Sequence, residues 1–153
     1  MDIKGLVRDL CQKYNTRDPF DIAQQRNVIV LYEPLGDIHG FYGKTLRQQF
    51  IHINQYMPTQ QQLFTCGHEL AHSIIHPDTN TPFLRSATMF SVDKLEVQAN
   101  RFSLEMVYPD EDLQPFLLRP ITDAAAYMGV PLPLAEYRMS TVEPTFFSHH
   151  FEY

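Results

Sequence analysis

Apolar residues return every third or fourth position at Met1, Ile3, Leu6, Val7, Leu10, Cys11 and Tyr14, which predicts an amphipathic helix over residues 2–14. Asp18-Pro19 has the form of an N-cap followed by proline at the first helical position and opens a short helix, Phe20–Gln25. The pattern then changes. Val28-Ile29-Val30-Leu31-Tyr32 is a β-branched run stopped by Pro34 and Gly36, and Gly40-Phe41-Tyr42-Gly43 and Phe50-Ile51-His52-Ile53-Asn54 read as two further strands. Their short connections predict a small, roughly three-stranded antiparallel sheet.

A helical stripe resumes at Leu63, Phe64, Gly67, Leu70, Ala71, Ile74 and Ile75 and ends at Pro77. Pro58, with Thr59 as N-cap and Gln62 as its capping-box partner, marks the expected start. Residues 78–88 are polar and rich in turn formers, without regular structure. Another helix runs from Asp93, with Asp93 or Ser91 as cap, to about Val107, where Tyr108-Pro109 stops it. Asp110–Leu118, Thr122–Met128 (closed by Gly129) and Leu134–Met139 read as shorter helices. Residues 141–153, with Phe146-Phe147, His149, His150 and Phe151, show no usable period.

These elements describe an α+β fold: a small sheet packed against helices, within one domain spanning 1–153, whose helical C-terminal segment covers about 110–140 and whose tail is irregular. The length suits one domain able to bury its own core. A net charge of −6 and the lack of a Lys/Arg run argue against nucleic-acid binding. A helix-turn-helix reading of residues 122–139 meets the same objection, since Arg138 is the only cation there. Cys11 and Cys66 fall in apolar stripes without metal-type spacing and read as reduced thiols. The first residues have no apolar signal region and no stretch approaches membrane-spanning length, so the expected location is the cytoplasm.

The chemistry is concentrated in His68-Glu69-Leu70-Ala71-His72. Histidines four apart on a helix lie about 40° apart around its axis and roughly 6 Å along it, so one metal ion can touch both rings. A glutamate beside the first histidine is placed to act on a metal-activated water, the layout of a zincin-like peptidase. The bland alternative is two structural histidines around a solvated glutamate. A hydrolytic zinc site takes a third protein ligand. His76 continues the spacing but lies about 12 Å along the helix from His68, so it is expected to end the helix against its last carbonyls. On the helix from Asp93, Glu96, Asn100 and Ser103 share a face beside an apolar strip of Ala99, Phe102 and Met106. Glu96 is the candidate third ligand and Asn100 the candidate partner for the second nitrogen of a ligating ring. On pattern alone Glu96 could equally be a solvated residue answering Asp93. Glu105 is expected to face solvent. Tyr42, Tyr56 and His52 are conceivable oxyanion donors, each with an ordinary structural reading as well.

Phe64-Thr65-Cys66-Gly67-His68-Glu69-Leu70-Ala71-His72, Ile75-His76-Pro77, Asn80-Thr81-Pro82-Phe83 and Leu95-Glu96-Val97-Gln98-Ala99-Asn100-Arg101-Phe102 together resemble the ImmA/IrrE family of metallopeptidases. The opening helix, Tyr42 ahead of the Ile51–Asn54 run, Met128-Gly129-Val130 and Arg138 extend the resemblance over most of the chain. It implies Zn²⁺ held by His68, His72 and Glu96, with Glu69 as general base. It also implies a protein substrate, a helix-turn-helix repressor controlling a prophage or mobile element. Cys66-Gly67 stands where Leu-Ala is common, Ala71 where glycine is usual, and Ser103 where alanine often follows phenylalanine; none of these removes a ligand. The rival reading is a zinc-stabilised regulator that captures a repressor or toxin without cutting it, for which a base at Glu69 has no use.

Overall fold

A computed structural model describes residues 1–145, which form two compact units, Met1–Val107 and a second beginning at Tyr108. The first starts with α1 (Ile3–Tyr14), whose first turn is capped by Asp2 accepting from the Gly5 N–H at 2.9 Å, and which ends at Asn15 in the left-handed region, φ 54°. Asp18 caps α2 (Pro19–Gln25) by accepting from the Phe20 N–H at 2.9 Å, with Pro19 in the first turn.

Three strands follow, β1 (Ile29–Glu33), β2 (Gly40–Thr45) and β3 (Gln48–Asn54), in the order β1-β3-β2. β2 and β3 form the expected antiparallel hairpin, joined by Leu46 and Arg47 at φ 51° and 73°. β1 corrects the expectation of a wholly antiparallel sheet, because it pairs with β3 in parallel, Ile29 opposite Phe50 through Glu33 opposite Asn54. The loop after β1 carries the chain past one strand position, and β3 returns into that gap, so the two strands point the same way. Alternation along β3 turns Ile51 and Ile53 into the core and leaves Phe50 and His52 on the half-exposed face.

Over the buried face lies α3 (Thr59–Ile75). Its N-cap is Pro58 rather than Thr59, and no side chain caps it. The Gln62 amide turns back to donate to the carbonyls of Met57 and Gln55 at 3.0 and 3.3 Å, so the capping box does not form. The irregular stretch after Pro77 contains a backbone bridge between Leu84 and Gly40, and a 3₁₀ turn at Ser86–Phe90. In α4 (Lys94–Val107), Asp93 is the cap, accepting from the N–H groups of Leu95 and Glu96. The core of this unit joins Val7 and Leu10 of α1, Ile22 of α2, Ile51 and Ile53 of β3, Leu70 of α3, and Phe102 and Met106 of α4. Glu105, expected in solvent, is 2 % exposed, and its carbonyl accepts from the Arg17 guanidinium at 2.6 Å.

The second unit contains α5 (Asp110–Leu113), a 3₁₀ turn at Gln114–Phe116, α6 (Ile121–Met128) and α7 (Leu132–Thr141). α6 closes on Gly129 at φ 67°. Arg138 is buried here and donates to the Tyr108 carbonyl, the Asp110 carboxylate and the Thr141 hydroxyl, so its charge is used inside the unit. Residues 146–153 of the expected irregular tail lie outside the described residues. Among the described residues no helix is long and apolar enough to cross a membrane.

Candidate metal and catalytic site

α3 and α4 run antiparallel, because contacting positions descend along one as they rise along the other. Ser103 Oγ donates to the Phe64 carbonyl at 2.6 Å, Asn100 Oδ1 lies 2.9 Å from His68 Nδ1, and Glu96 Oε1 lies 3.0 Å from His72 Nε2. Gly67 permits this approach: a Cβ there would stand 2.5 Å from Ser103 Oγ and 3.1 Å from Ser103 Cβ.

The result is a buried cluster of His68, Glu69, His72, Glu96 and Asn100, each at most 2 % exposed. The two Nε2 atoms lie 3.2 Å apart, and the Glu96 carboxylate spans them, Oε2 at 3.0 Å from His68 Nε2 and Oε1 at 3.0 Å from His72 Nε2. Asn100 Nδ2 donates to the Thr88 carbonyl at 3.1 Å, which turns its oxygen to the His68 ring. His68 Nδ1–H therefore donates, and the lone pair of Nε2 faces His72 and Glu96. Burial pushes the Glu96 carboxyl up, but hydrogen bonding and the charge of His68 and His72 pull harder and hold it at about 2. An ionised carboxylate and two imidazole nitrogens converging in a buried cluster is a donor set that suits a cation, and N/O ligands of this kind suit zinc.

Glu69 is different. Its carboxylate is fully buried, neither oxygen has a hydrogen-bond partner among the described residues, and Oε1 stops 4.0 Å from His68 Nε2. Burial is the main reason its carboxyl is pushed up to about 8, with the negative Glu96 adding to it and His72 opposing. His68, Glu69 and His72 offer ligand atoms within 4.8 Å of one another. A proton-accepting group with a pKa near neutrality, beside a cation-binding set, has the properties of a general base.

All five sequence candidates are thus brought together on two helices. The conceivable oxyanion donors are engaged elsewhere or exposed: the Tyr42 hydroxyl donates to the Pro77 carbonyl at 2.6 Å, His52 pairs with Glu33 and stacks on Phe41, and Tyr56 is exposed. Sequence reasoning missed what lies behind His72. Instead of meeting carbonyls through its ring, His76 places Nδ1 2.9 Å from His72 Nδ1 and Nε2 2.8 Å from Gln98 Oε1, and burial pushes its pKa below the usual histidine range. The usable signal was the third histidine at the same four-residue step. Cys66 is a free thiol, pushed well up by burial, and Cys11 is free and half-buried.

The sequence model of the IrrE N-terminal-like domain family, Peptidase_M78, matches residues 23–140, which includes the whole cluster. Among curated proteins, the chain is 39 % identical over 139 residues to the uncharacterized immunity region protein 2 of Bacillus phage phi105, covering 89 % of this chain and 88 % of that protein. It is 30 % identical over 149 residues to the metallopeptidase ImmA of Bacillus subtilis strain 168, covering 92 % and 85 %. With a matched region that holds every residue of the two-helix cluster, the chain belongs to the Peptidase_M78 family of IrrE N-terminal-like domains.

Proposed function

We propose that this protein is a zinc-dependent endopeptidase of the cytoplasm that cuts a helix-turn-helix repressor controlling a prophage or mobile element. The observation that carries the chemistry is the pairing of a three-ligand set with an unpartnered buried carboxylate. His68 Nε2, His72 Nε2 and Glu96 converge within 3.2 Å of one another, and Glu69 stands beside them with neither oxygen hydrogen-bonded among the described residues. In this reading His68, His72 and Glu96 hold the ion and Asn100 fixes the His68 ring. When bound, zinc acidifies water and polarises a peptide carbonyl.

The rest falls to the chain. Glu69 accepts a proton from the attacking water at a carboxylate oxygen and passes it to the departing amine. The phage setting draws on the names of relatives, an immunity region protein and a metallopeptidase ImmA, which support a protein substrate in the control of a mobile element.

The test is incubation with the repressor encoded beside this chain, followed by a denaturing gel. Discrete fragments are expected with the parent and none after chelation. Glu69→Gln is expected to retain one zinc per chain and lose cleavage by at least about a hundredfold. Binding of the repressor without fragments would favour a capturing regulator instead, and undiminished cutting by Glu69→Gln would remove that residue from the chemistry.

A further inference from the structure

We infer that His76 and Gln98 are positioning residues that hold His72 in the tautomer and orientation a metal ligand needs. The inference rests on the metal site proposed above and names how its second imidazole is set. Behind His68 the device is Asn100 and the Thr88 carbonyl. His72 has no such amide against its Nδ1. There the partner is His76 Nδ1, at 2.9 Å, and the far nitrogen of His76 lies 2.8 Å from Gln98 Oε1.

Counting protons along this line leaves one arrangement of neutral rings. Gln98 Oε1 can only accept, so His76 Nε2 carries the hydrogen. His76 Nδ1 is then an acceptor, and His72 Nδ1–H donates to it. The remaining lone pair of His72, on Nε2, points at Glu96 Oε1 and His68 Nε2, 3.0 and 3.2 Å away. The two gaps behind the ring, His72 to His76 and His76 to Gln98, each hold one donor and one acceptor, while the lone pairs and the carboxylate in front converge as a cation-binding set.

The choice of an imidazole has an electrostatic reason. Histidine ligands are often backed by a carboxylate, which orients the ring and raises its basicity. Two carboxyl groups, Glu69 and Glu96, are already buried here, and with both ionised they would match the charge of one divalent ion. A third would leave an uncompensated buried charge. A neutral ring gives the same orientation without adding that charge. His76 is 6 % exposed and sits at the C-cap of α3, one turn beyond His72, so the next turn of the helix supplies the acceptor.

The experiment measures zinc affinity by competition with a chelating dye, with the visible spectrum of the cobalt-loaded protein as a second signal. The proteins are the parent, His76→Phe, His76→Asn and Gln98→Leu. His76→Phe fills similar space without an acceptor and is expected to weaken zinc binding about 10- to 100-fold with an altered cobalt spectrum. His76→Asn restores an acceptor oxygen and is expected to stay within about threefold of the parent, and Gln98→Leu to fall between the two. Affinity unchanged in His76→Phe, or lost equally in His76→Asn, overturns the inference. If His76→Phe does not fold, Gln98→Leu decides by the same reading: unchanged affinity overturns the inference, and a several-fold loss supports it. A parent that takes up no zinc overturns the metal site itself and this inference with it, whereas tight parent binding with indifferent variants overturns only the role of His76 and Gln98.

Discussion

In the metal-stripped protein, Glu69→Gln is expected to gain stability relative to the parent as pH rises. Glu69 is fully buried, neither carboxylate oxygen has a partner among the described residues, and its carboxyl is pushed from the ordinary 4.5 up to about 8. Between those values the native state keeps a proton that the unfolded chain has released, so stability falls as pH rises through this window. Below the unfolded value the penalty is absent, and above the folded value it is constant. Each pH unit inside the window corresponds to about 1.4 kcal/mol, which makes the parent roughly 3 kcal/mol less stable at pH 7 than with no ionisable group there, and about 5 kcal/mol at pH 8.5. Glutamine has nearly the same shape and no charge. Burying its amide unpaired costs about 1–3 kcal/mol, but that cost does not depend on pH. The quantity to read is therefore the change in the gap between variant and parent, obtained from urea unfolding in excess chelator, followed by far-UV circular dichroism. The gap should widen by about 2–3 kcal/mol from pH 5 to pH 7, since titrating groups that Glu69 does not touch cancel in the difference. A gap that is the same at both pH values refutes the assignment of a proton-retaining, buried Glu69.

Three further outcomes can be checked by thermal or denaturant unfolding. Leu46 and Arg47 both occupy the left-handed region at the β2–β3 turn, so Leu46→Asn with Arg47→Gly should raise stability by about 1–2 kcal/mol; an unchanged melting temperature would count against backbone strain there. Arg138→Leu should cost about 3 kcal/mol, because it removes a buried cation's hydrogen bonds to the Tyr108 carbonyl and the Asp110 carboxylate, and a loss below about 1 kcal/mol would mean that these bonds matter little. Gly67→Ala should be more damaging in the parent than in a Ser103→Ala background, by about 1 kcal/mol in a double-mutant cycle, and additivity would show that the two positions do not compete for space.

The α+β outline was legible because α1 and α4 each bury one stripe and β3 alternates, patterns that periodicity reports directly. What periodicity does not carry is partner choice. The β-branched run of β1 marks a strand but not which strand lies beside it, so its parallel pairing with β3 was not visible. α7 extends to Leu132–Thr141, two residues past Leu134–Met139 at each end, where none of the added residues is buried and so none adds to an apolar period. α5 stops early because Pro115 lacks the N–H to continue it, and a 3₁₀ turn takes over. In the site, spacing alone placed His68 and His72 on one face. Bringing Glu96 to them required the apolar strip of Ala99, Phe102 and Met106 to seat α4 on α3, and the strip is buried as that argument needs. Gln98 lies outside that strip and was out of reach of the same argument, because its partner His76 follows the last helical residue of α3.

The separation of α3 and α4 determines whether one carboxylate can reach both histidines. It is set one helical turn or less from the site, where Gly67 faces Ser103 and a methyl group on Gly67 would come within 2.5 Å of the Ser103 oxygen. The Ser103 hydroxyl has a second task, donating to the Phe64 carbonyl at 2.6 Å, which ties the helices at this level of the antiparallel pair. Glycine in mid-helix costs about 0.5–1 kcal/mol relative to alanine, so its presence needs a local reason, and the Ser103 hydroxyl provides one. The resemblance noted in the sequence put small residues without a hydroxyl at both positions. Here a hydroxyl is gained on α4 and a methyl is lost on α3, so the two departures compensate within a single contact. That explains how the chain departs from the common pattern one residue before His68 while Glu96 still lies 3.0 Å from both rings.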